Sequence, residues 1–207
     1  MFYRPSEPHG LARNPFNQLV VPRPIGWIST LDADGSVNLA PYSFFNAVSY
    51  VPPMVMYATT GPHAQGGEKD SVANIRKTRE FVVNLATWNL RNAINTSCVP
   101  APSHIDEFEI SGLTKASSEL VKPPRVAESP AHLECILIDT FELPTPDKDD
   151  PNTVVFGEVI GVHIDDTIIR DGLVDILQLD PIARLGYDEY TRVKDTFTMI
   201  RPDWQSP

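Results

Sequence analysis

The residues of this 207-residue chain that can do chemistry are mostly neutral, and their types suit holding a ligand better than attacking one. In RPIGWIST, Ser29 and Thr30 close a strand-like run with two hydroxyls. These suit donation to a phosphate or a ring edge, or they face opposite sides of a sheet with one merely solvated. In APYSFFN, the small Ala40 and Ser43 let backbone groups approach a flat ring, and Asn46 can pair with a donor and an acceptor at once. Phe44 and Phe45 are either walls for such a ring or core. In KDSVANI a helix opens near Asp70 or Ser71, where free N–H groups and the positive dipole end favour an anion. Asp70 reads as the cap, which leaves Lys69 and Ser71 as phosphate contacts; the plainer alternative is simple capping and a solvated lysine. Asn74, one turn on, either supports the loop or reaches the ligand.

Other chemistries lack their patterns. GPHAQGGEK has two glycines at phosphate-loop spacing, but Gly67 stands where the lysine belongs and Glu68 where the hydroxyl belongs. No G-x-G-x-x-G follows a strand, and no G-x-S-x-G elbow is present. His9, His63, His104, His132 and His163 are scattered without metal-ligand spacing. The DEFE run, Asp106 to Glu109, reads as a solvated loop rather than a pair of working carboxylates. Cys98 and Cys135, far apart and outside any C-x-x-C, read as ordinary reduced thiols. No catalytic residue and no metal site is assigned. A chain without its own acid, base or metal signal is suited to a bound cofactor that carries the reaction, with the protein supplying orientation and electrostatics.

The elements that must position these residues are mainly strands. Twenty prolines and eleven glycines favour short strands and irregular loops. The length and 42% hydrophobic content suit one domain over residues 1–207, with residues 1–20 as an irregular arm and a short strand at Gln18 to Val21. PIGWISTL, the turn Asp32-Ala33-Asp34-Gly35 and Ser36 to Ala40 form a hairpin, after which the aromatic stretch to Pro53 reads as a loop. MVMYAT is a core strand, the Asp70 helix feeds the strand FVVNLA, and WNLRNAINTSC is a second helix. The segment VPAPSHIDEFEISGL reads as a surface excursion. AHLECILIDTFEL and TVVFGEVIGVHI pair antiparallel across PTPDKDDPN. Leu173 to Leu179 is helix or strand, and DTFTMI closes the chain as a strand. Seventeen basic against twenty-seven acidic residues, net −10, exclude a general nucleic-acid or anionic-membrane surface. With no signal-peptide pattern and no apolar run of spanning length, the expected location is the cytoplasm.

Taken in order, RPIGWIST, APYSFFNAVSYVPP, KDSVANI and LDPIARLGYDEY resemble the flavin reductase-like family of FMN-binding split barrels, the flavoredoxin relatives, over about Val21 to Thr198. The resemblance implies a mainly β, six-stranded antiparallel Greek-key barrel with helical insertions. It also implies a homodimer, and FMN near the subunit interface, contacted by Ser29, Thr30, Ala40, Ser43, Phe44, Phe45, Asn46, Lys69, Asp70, Ser71 and Asn74. It places Arg184 and Tyr190 near the flavin of the same or the partner subunit; Tyr187 stands where the family commonly has a second glycine. The implied activity is that of an NAD(P)H-dependent flavin oxidoreductase. NADH or NADPH would be the nucleotide substrate, and a free acceptor, a partner monooxygenase or a redox protein would receive the electrons. The alternatives are a flavin-bound oxidoreductase acting on a small organic substrate, and a non-enzymatic FMN redox carrier.

Overall fold

In the computed structural model, which describes residues 1–147 and 149–204, a seven-stranded antiparallel sheet organises the chain. Its strands are β1 (Gly26–Leu31), β2 (Val37–Tyr42), β3 (Phe45–Tyr50), β4 (Pro53–Thr60), β5 (Glu80–Leu85), β6 (Ala131–Leu143) and β7 (Asn152–Ile164). They lie in the order β2-β1-β5-β6-β7-β4-β3. The two outer strands of that order, β2 and β3, are separated in sequence only by Ser43 and Phe44. Three Cα steps reach at most about 11 Å, so the sheet has to curl until its ends meet. They do meet: the Tyr42 ring of β2 lies 4.8 Å from the Tyr57 ring of β4, the strand beside β3. The sheet is therefore a barrel with one strand more than the six expected. The extra one is β3, which pairs with β4 where the sequence reads as a loop.

The β1–β2 hairpin turns on Asp32 to Gly35 as expected, with Gly35 N–H donating to Asp32 O at 3.1 Å. Gly35 has φ +94°, a conformation that favours glycine. Alternation along β1 then serves two cores. Ile28 faces the barrel interior with Val55, Tyr57, Phe81, Val83, Cys135 and Val155. The helix α1 (Asp70–Thr78) plugs that interior with Val72 and Ile75, three apart and therefore on one face. On the outer side, Ile25 and Trp27 join Leu39, Ile94, Phe108, Val126 and Ile182 beneath α2 (Arg91–Thr96). Trp27 Nε1 donates to Ser97 Oγ at 2.9 Å, so its one polar atom is satisfied inside.

Three local expectations are corrected and one ambiguity, at Leu173 to Leu179, is resolved. Gln18 to Val21 is not a strand: Phe16–Leu19 is a single helical turn, and the pairing falls later, Arg23 with Arg184 and Pro24 with Ala183. The DEFE run is not a solvated loop throughout. Glu107–Ile110 is a short helix whose Phe108 is fully buried and whose Glu107 is 6% exposed, because the outer core needs a cover that α2 alone does not supply. Leu173 to Leu179 divides into a two-residue strand at Leu173–Val174 and a turn of helix at Ile176–Leu179. DTFTMI forms no strand: it pairs with neither edge of the sheet, and Phe197, Met199 and Ile200 are more than 80% exposed, so nothing packs on its apolar residues.

Candidate functional site

β2 is hydrogen-bonded in the sheet on one side only, to β1. The Leu39 N–H points away from β1 and donates to Glu107 Oε2 at 3.0 Å, so the Leu39 and Pro41 carbonyls face the same outward way. Pro41 has no N–H to leave unpaired there. Two adjoining cavities run along this edge and share Pro41 and Tyr42. The smaller, about 200 Å³, lies among Asn38, Ala40, His63, Lys69, Asp70, Cys98 and Glu107. The larger, about 530 Å³, is lined by Ser43 and Phe44 from the β2–β3 link, by Arg13 and Asn17 of the N-terminal arm, and by Arg23, Arg184 and Tyr187.

The start of α1 forms one end of this cleft. Lys69 is the residue before the helix, extended and with no side-chain cap. Asp70 is the first helical residue, and its carboxylate accepts from Ser103 Oγ at 2.9 Å and lies 3.4 Å from His63 Nε2. The expectation that Asp70 caps the helix is thereby corrected: two outside partners draw its side chain off. Ser71 is fully buried, with its Oγ 2.6 Å from the Tyr42 hydroxyl, so that hydroxyl is committed within the fold. Burial pushes Tyr42 up to about 12, which keeps the phenol neutral. Two donors stay open at this end. Lys69 has no hydrogen-bond or ion-pair partner among the described residues, and Asn38 Nδ2 is buried without one. Burial raises Glu107 above the usual carboxylate range and raises the Cys98 thiol, so neither carries full charge into the cavity as readily as an exposed group does.

Of the residues singled out in the sequence, Ala40, Ser43, Phe44, Lys69, Asp70 and Arg184 line the two cavities. Ser29 and Thr30 do not. Both are fully buried: Ser29 Oγ donates to Pro124 O at 2.6 Å, and Thr30 Oγ1 accepts from Asn74 Nδ2 at 3.1 Å. That last bond also spends Asn74. The paired phenylalanines split, Phe44 walling the larger cavity and Phe45 packing on the barrel core over Gly26, where no Cβ would fit. Asn46 is exposed and folds its Oδ1 onto the Ala47 N–H at 3.0 Å. Tyr190 lies outside the cleft, beside Trp88 and Arg91. Its ring stacks under the Arg184 guanidinium at 4.6 Å and its hydroxyl accepts from Arg184, so it positions that arginine. The sequence reading missed Arg13, Arg23, Asn38 and Tyr187. The one signal for them was a tyrosine at position 187 where a glycine was expected.

These features can hold a flat heterocycle against a strand edge, with donors at one end. The model of the flavin reductase like domain matches residues 18–177. A relative from Aquifex aeolicus is 38% identical over 175 residues, 84% of this chain and 86% of that protein. Among solved structures, nitrilotriacetate monooxygenase component B from Bacillus cereus is 26% identical with TM-score 0.84, covering 96% of this chain and 98% of that one. The 2-nitrobenzoate 2-nitroreductase NbaA of Pseudomonas fluorescens is 27% identical with TM-score 0.78, covering 92% and 90%.

Proposed function

Because the chain belongs to the flavin reductase-like family, we propose that the cleft along β2 holds FMN and that the protein is an NAD(P)H-dependent flavin oxidoreductase. The observation that carries this is the pair of open donors, Lys69 and the orphaned Asn38 Nδ2, at one end of a strand edge that presents backbone carbonyls. A buried amide donor without a partner costs about 1–3 kcal/mol, and an acceptor on the ligand relieves it. Lys69, Asn38 and the free N–H groups at the start of α1 take the phosphate. The Leu39 and Pro41 carbonyls accept from the ring edge, and Ala40 and Ser43 keep the approach open. The neutral Tyr42 walls the site without offering a proton. A bound flavin supplies hydride acceptance and release at its N5, which is why no side-chain acid or base is needed. The likeness to component B of a monooxygenase supports a partner monooxygenase as the final acceptor.

A second reading, an oxidoreductase acting on a small organic substrate, is favoured by the arginine-lined cavity beside the cleft and by the likeness to a nitroreductase. Both readings include a homodimer. Exposed Val48, Tyr50, Val51, Phe197, Met199, Ile200 and Trp204 supply the apolar surface such a contact needs. They also include a cytoplasmic location; among the described residues no helix is long and apolar enough to cross a membrane. The test is the absorption spectrum of purified protein loaded with FMN, recorded anaerobically before and after NADH and NADPH. Bleaching of the flavin band within seconds supports the reductase. A loaded protein that neither nucleotide reduces is a carrier, and a protein that takes up no flavin refutes both readings.

A further inference from the structure

We propose that the larger cavity is the binding site of an aromatic carboxylate, the second ligand of the β2 cleft. That it is a second ligand rests on the flavin reading; the binding itself does not. The chain carries a net charge of −10, yet this cavity is lined by Arg13, Arg23 and Arg184 and by no aspartate or glutamate. Arg23 is 7% exposed. Its Nη1 donates to the Asn17 and Val20 carbonyls at 2.6 and 2.7 Å, and its Nη2 to the Leu185 carbonyl at 2.9 Å. Nε has no acceptor. The buried guanidinium thus has neutral partners only, and a buried cation without a counter-ion is costly. Arg184, half-buried, likewise has neutral hydrogen-bond partners among the described residues, the Tyr190 hydroxyl and the Tyr187 carbonyl. The carboxylates four residues to either side, Asp180 and Asp188, are engaged elsewhere, by Arg192 and by Arg13. Burial and the charge of Arg184 both pull the Arg23 pKa down, as two cations do when no anion lies between them.

The walls say what kind of anion. Tyr187 has φ +53°, the left-handed region where a tyrosine is strained and a glycine is not. Its side chain is kept there, with the Arg13 guanidinium 4.4 Å from its ring centroid, and it lines the cavity together with Phe44. Two flat rings suit a flat ligand. Guanidinium forks suit a planar carboxylate, which they can grip in two parallel bonds, and a volume of about 530 Å³ is far more than an inorganic phosphate fills.

The experiment titrates benzoate and inorganic phosphate, at constant ionic strength, into the full chain, into Arg184→Gln and into Tyr187→Gly, by calorimetry. FMN and riboflavin are titrated alongside. Expected are 1:1 benzoate binding to the wild type, binding about tenfold weaker in Arg184→Gln, and no binding of phosphate alone. Tyr187→Gly should also weaken benzoate while its melting temperature stays level or rises, because the strain is relieved. Absence of benzoate binding to the wild type, or an undiminished affinity in Arg184→Gln, overturns the proposal. So does a loss in Arg184→Gln that falls on FMN and spares riboflavin, since the arginines would then hold the cofactor phosphate. A protein that binds benzoate and neither flavin refutes the flavin reading and leaves this site standing.

Discussion

Replacing Lys69 with alanine should weaken FMN and leave riboflavin almost unchanged. Lys69 lines the smaller cavity, immediately before α1, and has no carboxylate to satisfy it among the described residues. A charge-assisted hydrogen bond is worth about 1.5–3 kcal/mol when dry. Lys69 is half-exposed, so solvent screening lowers the expected loss to about 1–2 kcal/mol, a five- to thirtyfold rise in Kd. The α1 backbone N–H groups and dipole remain in the variant, which is why binding is not abolished. Ser71→Ala provides the contrast. Its hydroxyl is buried against Tyr42 at 2.6 Å, so its loss leaves a buried phenol without a partner and should weaken both flavins alike, through the fold. The assay is calorimetric titration of FMN and riboflavin at low and high salt, with the FMN advantage narrowing as salt rises. Equal losses for the two flavins in Lys69→Ala, or none, would falsify the phosphate assignment.

Three further outcomes follow from particular groups. Asn38→Ala removes a buried donor that has no partner, so the flavin-free protein should melt higher and the FMN-loaded protein lower than the wild type, read by calorimetry in both states; the same direction in both would deny Asn38 a ligand. His132 is 4% exposed, with a pKa held down to about 4 by burial first and by the Arg125 charge. The unfolded chain therefore takes up this proton first, and stability is lost as pH falls from about 6.5 to about 4, by on the order of 3 kcal/mol. His132→Gln should flatten that limb of a urea-derived stability profile. In Gly157→Ala the added methyl group meets the buried Phe81 ring and should cost about 1–3 kcal/mol without changing flavin affinity per folded molecule; a neutral effect on the urea midpoint would show that β7 yields there.

The barrel was legible where period and turn chemistry agree. Asp32 to Gly35 between two apolar runs specifies the hairpin, and the two long apolar runs around PTPDKDDPN specify β6 and β7. β3 was not legible because all six of its residues are half-buried or exposed, on both faces, so it carries no alternation to read. The site divides along the same line. Ser29 and Thr30 are adjacent on a strand and must point to opposite faces; each face turned out to have its own core, so both hydroxyls were consumed internally. Ala40, Ser43 and Lys69 were found because small residues and a helix opening have local meanings. The arginine cluster has none. Arg13, Arg23 and Arg184 come together only because the N-terminal arm docks on the 184–190 hairpin at Gly186, where any side chain would collide with Gln18, and because Arg23 then ties the arm's carbonyls to Leu185. A net charge of −10 is a sum over the whole surface, whereas a ligand feels the field of its own cavity. In this acidic chain the concavity lined by Arg13, Arg23 and Arg184 is built by tertiary docking, so the feature that most constrains the second ligand is the one that spacing along the sequence could not reveal.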